Sequence, residues 1–284
     1  MPITEYLEKH ARLHPDEVAL VEINPANQPE KSTTWREYNL IEAAEGQRYR
    51  REMTWRYFDI RAIRFANLLL SRGVKRGDKV AVLLMNCLEW LPVYFGVLKA
   101  GAIVVPMNYR YASDEIKYCL ELSECDSIVF GPEFIDRMAA IEADVRAQVP
   151  DMFFVGEECP AFADSYEALT AEFSGESLPV VVTEEDDAAI YFSSGTTGFP
   201  KGVMLTHYNV VNNGKCIGDR MGLSTADRMM IQVPMFHCFG MVLSMTASLT
   251  HGATVCPMPY FSAKSSLACI NQERITCFNG VPTM

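Results

Sequence analysis

The chain has 284 residues, 49% of them hydrophobic and 21% charged, with a formal net charge of −11 and an isoelectric point near 5.0. A chain of this size can bury about three quarters of its unfolded surface, in one large domain or two lobes, and its acidic balance excludes nucleic acid as a partner because neutralising phosphates takes clustered Lys and Arg. Nine scattered cysteines (Cys87, Cys119, Cys125, Cys159, Cys216, Cys238, Cys256, Cys269 and Cys277) without a C-x-x-C pair exclude a disulfide scaffold and point to reduced thiols in the cytoplasm.

Ile3 to His14 carries apolar residues at Ile3, Tyr6, Leu7 and Ala11, a helical spacing that Pro15 ends. His10 and His14, four apart, lack the carboxylate or cysteine partners of a zinc site and are expected at the surface. The N-terminus lacks the basic, apolar, small-residue order of a signal peptide. Val18 to Ile23 reads as a strand. Residues 24–52 are polar and charge-rich, punctuated by Pro25, Pro29 and Gly46, and suit an exposed excursion; Thr34-Trp35-Arg36 within it recurs once as Thr54-Trp55-Arg56, too little for a repeat architecture. Arg48, Arg50, Arg51, Arg56, Arg61 and Arg64 are interleaved with Glu45, Glu52 and Asp59 and read as a solvated face.

Phe58 to Arg72 has the apolar spacing of an amphipathic helix closed by Gly73, and Lys79 to Met85, K-V-A-V-L-L-M, is the continuous apolar run of a strand covered on both faces. Leu88 to Ala100 reads as helix and Ala102 to Val105 as strand. Trp90 to Met107 is the stretch nearest to a membrane span, but Pro92, Gly96, Lys99, Gly101 and Pro106 interrupt it, so no span is expected. Ser113 is expected to cap a helix running to about Leu122, Ser127 to Phe130 to be strand, and Pro132 to Glu157 to hold another helix and strand. The acidic stretch 159–187 reads as a connecting segment. Alternating strand and helix implies right-handed crossovers and an α/β fold of doubly wound, mostly parallel sheets flanked by helices, whose ligands lie beyond the carboxyl ends of the strands.

Ala188 to Phe192 then reads as a buried strand feeding Ser193, Ser194, Gly195, Thr196, Thr197 and Gly198, six hydroxyl or glycine residues too small to pack in a strand or helix. Converging backbone amides, hydroxyl donors and the following Lys201 are what an anionic phosphate group requires. A Walker A loop is excluded, since Lys201 follows Pro200 and precedes Gly202. A solvated Ser/Gly linker is the competing reading, weakened by the apolar segments on both sides. Val203 to Val211 is expected to re-enter the core with Asn209 as a helix cap. Met229 to Val233, Ala253 to Cys256 and Cys277 to Phe278 read as strands, Phe239 to Leu249 and Phe261 to Glu273 as helices.

The run S-S-G-T-T-G-F-P-K-G-V-M-L-T-H, Ser193 to His207, resembles the signature loop of the adenylate-forming (AMP-binding) superfamily, acyl-CoA synthetases included. Leu98 to Pro106 (L-K-A-G-A-I-V-V-P) and Pro234 to Gly240 (P-M-F-H-C-F-G) resemble two further blocks of that family, so the resemblance covers the whole chain. It implies the large N-terminal region of the adenylate-forming fold: a carboxylate attacks the α-phosphate of ATP to give an acyl adenylate, and coenzyme A then forms the thioester. By resemblance, Ser193, Ser194, Gly195, Thr196, Thr197, Gly198 and Lys201 hold the β- and γ-phosphates, Mg2+ accompanies the nucleotide with no ligand evident here, and His237 lies beside the carboxylate being activated. A histidine where amino-acid-activating members tend to carry aspartate favours a plain acyl or aryl acid. Phe239, Gly240, Met241 and Met245 are candidates to line the acyl pocket with His237, although Met and Phe on one helix face more often mark core packing. The family passes more directly between the elements that flank 24–52, so an inserted hairpin is expected there. Its adenine, ribose and hinge motifs and its small C-terminal domain are expected beyond Met284, which makes the chain an expected fragment, inactive alone. Two other readings stay open: an adenylation module loading a carrier protein, and a non-catalytic nucleotide-binding protein.

Overall fold

A computed structural model describes residues 1–23, 50–176, 180–193 and 200–284. α1 (Ile3–Leu13) leads into β1 (Val18–Ile23), and β2 (Arg50–Thr54) returns antiparallel beside it with Ile23 opposite Arg50. The expected excursion over 24–52 is thus shorter by Arg50 to Glu52, which are strand; 24–49 lies outside the described residues. Thr54 Oγ1 accepts the Tyr57 N–H at 3.2 Å and starts α2 (Trp55–Ser71), after which Gly73 takes φ +90°, a conformation open to glycine. β3 (Lys79–Leu83), α3 (Trp90–Lys99), β4 (Ile103–Pro106), α4 (Ser113–Ser123) and β5 (Cys125–Phe130) alternate as the pattern predicts. Ser113, however, is the first helical residue of α4 and not its cap. Ala112 holds the cap position, and the Glu115 carboxylate accepts the Ala112 N–H at 2.8 Å in the cap's place.

α5 (Ile135–Ala139), α6 (Glu142–Val145) and β6 (Asp151–Phe154) follow. The acidic stretch expected to be a plain connection holds β7 (Asp164–Ser165) and α7 (Tyr166–Ala171), because the Tyr166 ring is buried edge-on against Phe65 at 5.2 Å. β8 (Asp187–Ser193) pairs antiparallel with β9 (Lys201–Thr206). Val203 and Met204 do not re-enter the core: β9 is an edge strand that leaves them 46% and 52% exposed. α8 (His207–Met221) is capped by Thr206, whose Oγ1 accepts the Asn209 N–H, while Asn209 Oδ1 accepts the Thr206 N–H; Asn209 is the third helical residue, not the cap. β10 (Arg228–Ile231), a π-helix (Phe239–Thr246), α9 (Ala247–His251), β11 (Thr254–Pro257), α10 (Ala263–Gln272) and β12 (Cys277–Phe278) complete the order. The expected Phe239–Leu249 α-helix is π-helical for its first part. There Ser244 and Thr246 donate their hydroxyls to the carbonyls five residues back, Phe239 and Met241, at 3.1 and 2.9 Å.

The strands form two sheets. One runs β12-β10-β11-β1-β2; the other runs β7-β6-β5-β3-β4-β8-β9, parallel throughout except for β9. Alternate residues face opposite cores. In β3, Val80 and Val82 point into the core between the sheets, and Ala81 and Leu83 point outward to α4, α5 and α6; in β10, Met229 and Ile231 point inward and Met230 outward to α10. α1, α2, α3, α8 and the π-helix fill the space between the sheets. There the expectation that His10 and His14 both lie at the surface fails for one of them: His10 is buried, with Nε2 2.8 Å from the Leu249 carbonyl and its ring 4.8 Å from Trp55, while His14 stays partly exposed beside Glu17. The basic cluster is likewise only partly solvated, since Arg61 is buried against Glu167 and over the Tyr166 ring. Among the described residues no helix is long and apolar enough to cross a membrane.

Candidate active site

Two segments, borne by different sheets, carry the candidate residues. The first joins β8 to β9. Ser193 ends β8 and faces Lys201, which opens β9, across the ladder, and the Ser193 hydroxyl donates to the Lys201 carbonyl at 3.4 Å. Ser194, Gly195, Thr196, Thr197 and Gly198 lie outside the described residues, so of the seven expected phosphate-binding residues Ser193 and Lys201 are the two with a described position. Both are exposed, and among the described residues no carboxylate pairs with Lys201.

The second segment leaves β10 through Gln232, Val233, Pro234, Met235 and Phe236 to His237. Asn86, just past the end of β3, holds it. The Asn86 side-chain amide, 2% exposed, donates to the Val233 carbonyl at 2.9 Å and toward the Ile231 carbonyl at 3.4 Å, and its oxygen accepts the Met235 N–H at 2.9 Å. Phe236 packs edge-on to Tyr109, beyond β4, at 5.1 Å. Cys238 lies near enough to Tyr94 and Tyr191 to add to the rise that burial imposes on both phenols. The His237 segment thus contacts Asn86 past β3 and Tyr109 past β4 and lies near Tyr191 of β8, two residues from Ser193.

His237 is exposed and its orientation is set by the helix it starts. Its carbonyl accepts the Gly240 and Met241 N–H groups at 3.0 and 3.1 Å, and its Nδ1 accepts the Phe239 N–H at 3.1 Å. A nitrogen that accepts an amide proton carries a lone pair, so a neutral ring with this bond bears its proton on Nε2 and has a donor there. Gly240 packs directly on the preceding turn: a Cβ there would lie 2.4 Å from the Pro234 carbonyl oxygen. Met241 and Met245, each 1% exposed, sit in the inter-sheet core, and Phe239 is half-buried against it. Among the described residues no group of three His, Cys, Asp or Glu side chains is placed to hold a metal, so no protein ligand is assigned to magnesium.

Sequence reasoning missed Asn86, Tyr109 and Tyr191. The signal for Asn86 was present: an amide directly after the apolar run ending L-L-M is a polar group that the fold must bury with partners.

The AMP-binding enzyme family matches residues 7–284. An acyl-CoA ligase, sidI, of Beauveria bassiana is 35% identical over 243 residues, 81% of this chain and 42% of that protein. The long-chain-fatty-acid–CoA ligase FadD13 of Mycobacterium tuberculosis is 30% identical over 234 residues, 82% of this chain and 45% of its own length. The chain therefore spans less than half the length of these relatives. Among solved structures, the inhibitor-bound N-terminal domain of FACL13 from Mycobacterium tuberculosis superposes with a TM-score of 0.81 at 27% identity, covering 99% of this chain and 63% of that one. The anthranilate CoA ligase AuaEII in complex with anthranoyl-AMP has the same fold, with a TM-score of 0.86 at 23% identity over 100% of this chain and 50% of that chain.

Proposed function

The chain belongs to the AMP-binding enzyme family, and on that premise we propose that it contributes the phosphate-binding and carboxylate-facing parts of an ATP-dependent acyl-CoA ligase. The carboxylate oxygen of the acid attacks the α-phosphorus of ATP, and the bond to the β-phosphate oxygen breaks to release pyrophosphate. The sulfur of coenzyme A then attacks the acyl carbon, loses its proton, and AMP leaves. Both steps bring anions together, so positioning and charge neutralisation supply most of the acceleration. Ser193, Ser194, Thr196, Thr197 and Lys201 hold the β- and γ-phosphates, Gly195 and Gly198 permit the backbone to approach, and magnesium comes with the triphosphate.

The observation that carries the reading is the hydrogen bond from the Phe239 N–H to Nδ1 of the exposed His237, which in a neutral ring leaves the proton on Nε2. A fixed donor at a helix start suits a carboxylate and then the carbonyl oxygen of the acyl adenylate. No aspartate stands in the P-M-F-H-C-F-G block to pair with an ammonium, which favours an acid without an α-amino group, fatty or aryl. The relatives named as CoA ligases favour coenzyme A over a carrier protein as acceptor, and nine free cysteines suit the cytoplasm.

Acid-dependent exchange of pyrophosphate into ATP by the full-length protein tests this. Lys201→Ala is expected to raise the KM for ATP about tenfold and His237→Ala that for the acid, as for one charge-assisted hydrogen bond each. Exchange without acid, or only with amino acids, would reject it, as would ATP binding that ignores Lys201→Ala and Thr197→Ala together.

A further inference from the structure

The two halves of the site are borne by different sheets, Ser193 and Lys201 by one and the His237 segment by the other. Something must set one against the other. The loop between β3 and α3 does so, because it reaches from the seven-stranded sheet across to the five-stranded one at two points. At one, the Leu88 N–H donates to Glu22 of β1 at 2.7 Å, and Arg51 of β2 bridges Glu22 and Glu89, each at 2.7 Å. That pairing lies on the β1–β2 side of the five-stranded sheet. At the other, Asn86 binds the chain that leaves β10.

We infer that Asn86 is a positioning residue for His237: its amide fixes the Ile231–Met235 segment to the end of β3 and so sets where the imidazole stands relative to Ser193 and Lys201. Its bonding pattern is specific to a carboxamide. The two donated bonds end on carbonyls and the one accepted bond begins at an N–H, so the side chain must offer both polarities in a buried place. Met235, 0% exposed, is held by the last of these bonds, two residues before His237. An aspartate would keep the Met235 bond and set a carboxylate against two carbonyl oxygens. A leucine of similar size would leave the Val233 carbonyl and the Met235 amide without their partner in the core, while the Ile231 carbonyl keeps the Met258 N–H at 2.9 Å.

The inference rests on the reading of His237 as the group facing the acid, and its test separates the two. Nitrogen-15 spectra of histidine-labelled chain, with the His237 signals identified by their loss in His237→Gln, report directly whether Nδ1 accepts a proton. In Asn86→Ala the His237 signals are expected to move toward a mixture of tautomers. In the full-length enzyme the KM for the acid should rise about tenfold, the equivalent of one buried hydrogen bond, with the KM for ATP within about twofold of its original value. Asn86→Asp, which keeps one of the bonds, serves should the alanine variant not fold, with the same direction expected. A folded Asn86 variant whose His237 signals and acid KM are unchanged overturns the positioning role, and so does one whose KM values for acid and ATP rise together. If instead His237→Ala leaves the acid KM untouched, the functional reading fails, while the spectra still decide whether Asn86 positions the ring.

Discussion

Gly240 illustrates how one missing methyl group holds the candidate site together. The π-helix begins so close to the turn before it that a Cβ on Gly240 would meet the Pro234 carbonyl oxygen at 2.4 Å and the Met235 Cα at 3.0 Å. Both are backbone atoms, and Asn86 holds that backbone at Val233 and Met235, so neither can retreat by rotating a side chain. Gly240→Ala is therefore expected to destabilise the chain by about 1–3 kcal/mol, the usual range for overpacking, against the small gain alanine brings to a helix. In the full-length protein it should also raise the KM for the acid, since His237 lies on the displaced turn. Denaturant midpoints compared with the parent check the first, and a variant as stable as the parent would show that the turn yields. In the sequence Gly240 stands out as a candidate pocket residue of P-M-F-H-C-F-G, with no sign of a steric demand. The contact that demands glycine is made by a fold-back of the chain, which no spacing rule encodes.

At the scale of elements, α1 is docked by histidines from two directions. The Ile3 N–H donates to Nδ1 of His207, the first residue of α8, at 3.3 Å, and His10 of α1 contacts the Leu249 carbonyl of α9. Burial lowers the pKa of His207 to about 4, despite the opposing pull of Asp186, and lowers that of His10 in the same direction. The unfolded chain holds these protons more tightly than the folded one, so stability rises with pH across the window. It is complete above the ordinary histidine value of about 6.5 and falls as pH drops from there toward about 4, by ~3 kcal/mol for His207 at full extent. Urea denaturation at a series of pH values between these limits should show that slope, and His207→Gln should flatten it; an equal slope in both proteins would remove His207 as its source. Periodicity revealed α1 itself, because Ile3 and Leu7 mark its apolar face. It could not reveal that His10 joins that face, since the carbonyl partner comes from the other end of the chain. α8 has a similar lesson. Gly214 and Gly218 look like poor helix residues, yet a Cβ at either would strike Thr246 or His251 across the interface, at 2.5 and 2.3 Å. They are the price of close helix packing.

Over the whole molecule, the β/α rhythm was legible because strands covered on both faces, such as K-V-A-V-L-L-M, are continuous apolar runs. Their division between two sheets was not, because it depends on pairings such as Leu20 with Val255, which join opposite ends of the chain. The division leaves one core, between the sheets, that both of them share. Leu20, Met229, Ile231 and Val255 enter it from one side and Val80, Val82, Val104 and Ala189 from the other, around Phe58, Trp90 and Phe95. Neither sheet can lose its inner face without exposing the helices that cover the other. The two are therefore expected to unfold together, although a chain of this length commonly populates intermediates. Four cysteines make this measurable. Cys256 and Cys269 are buried on the outer side of the five-stranded sheet, Cys119 and Cys125 on the outer side of the seven-stranded one, and all four are at most 1% exposed. Burial also raises their thiol pKa values, to about 12 for Cys119, Cys125 and Cys256, which suppresses reaction in the folded state. Pulse alkylation along a urea gradient, read by mass spectrometry, should find both pairs opening at one midpoint, coincident with the change in emission as buried Trp55 and Trp90 reach water. If Cys256 and Cys269 open at lower urea than Cys119 and Cys125, the sheets are separable units, and the core between them does not bind them into one.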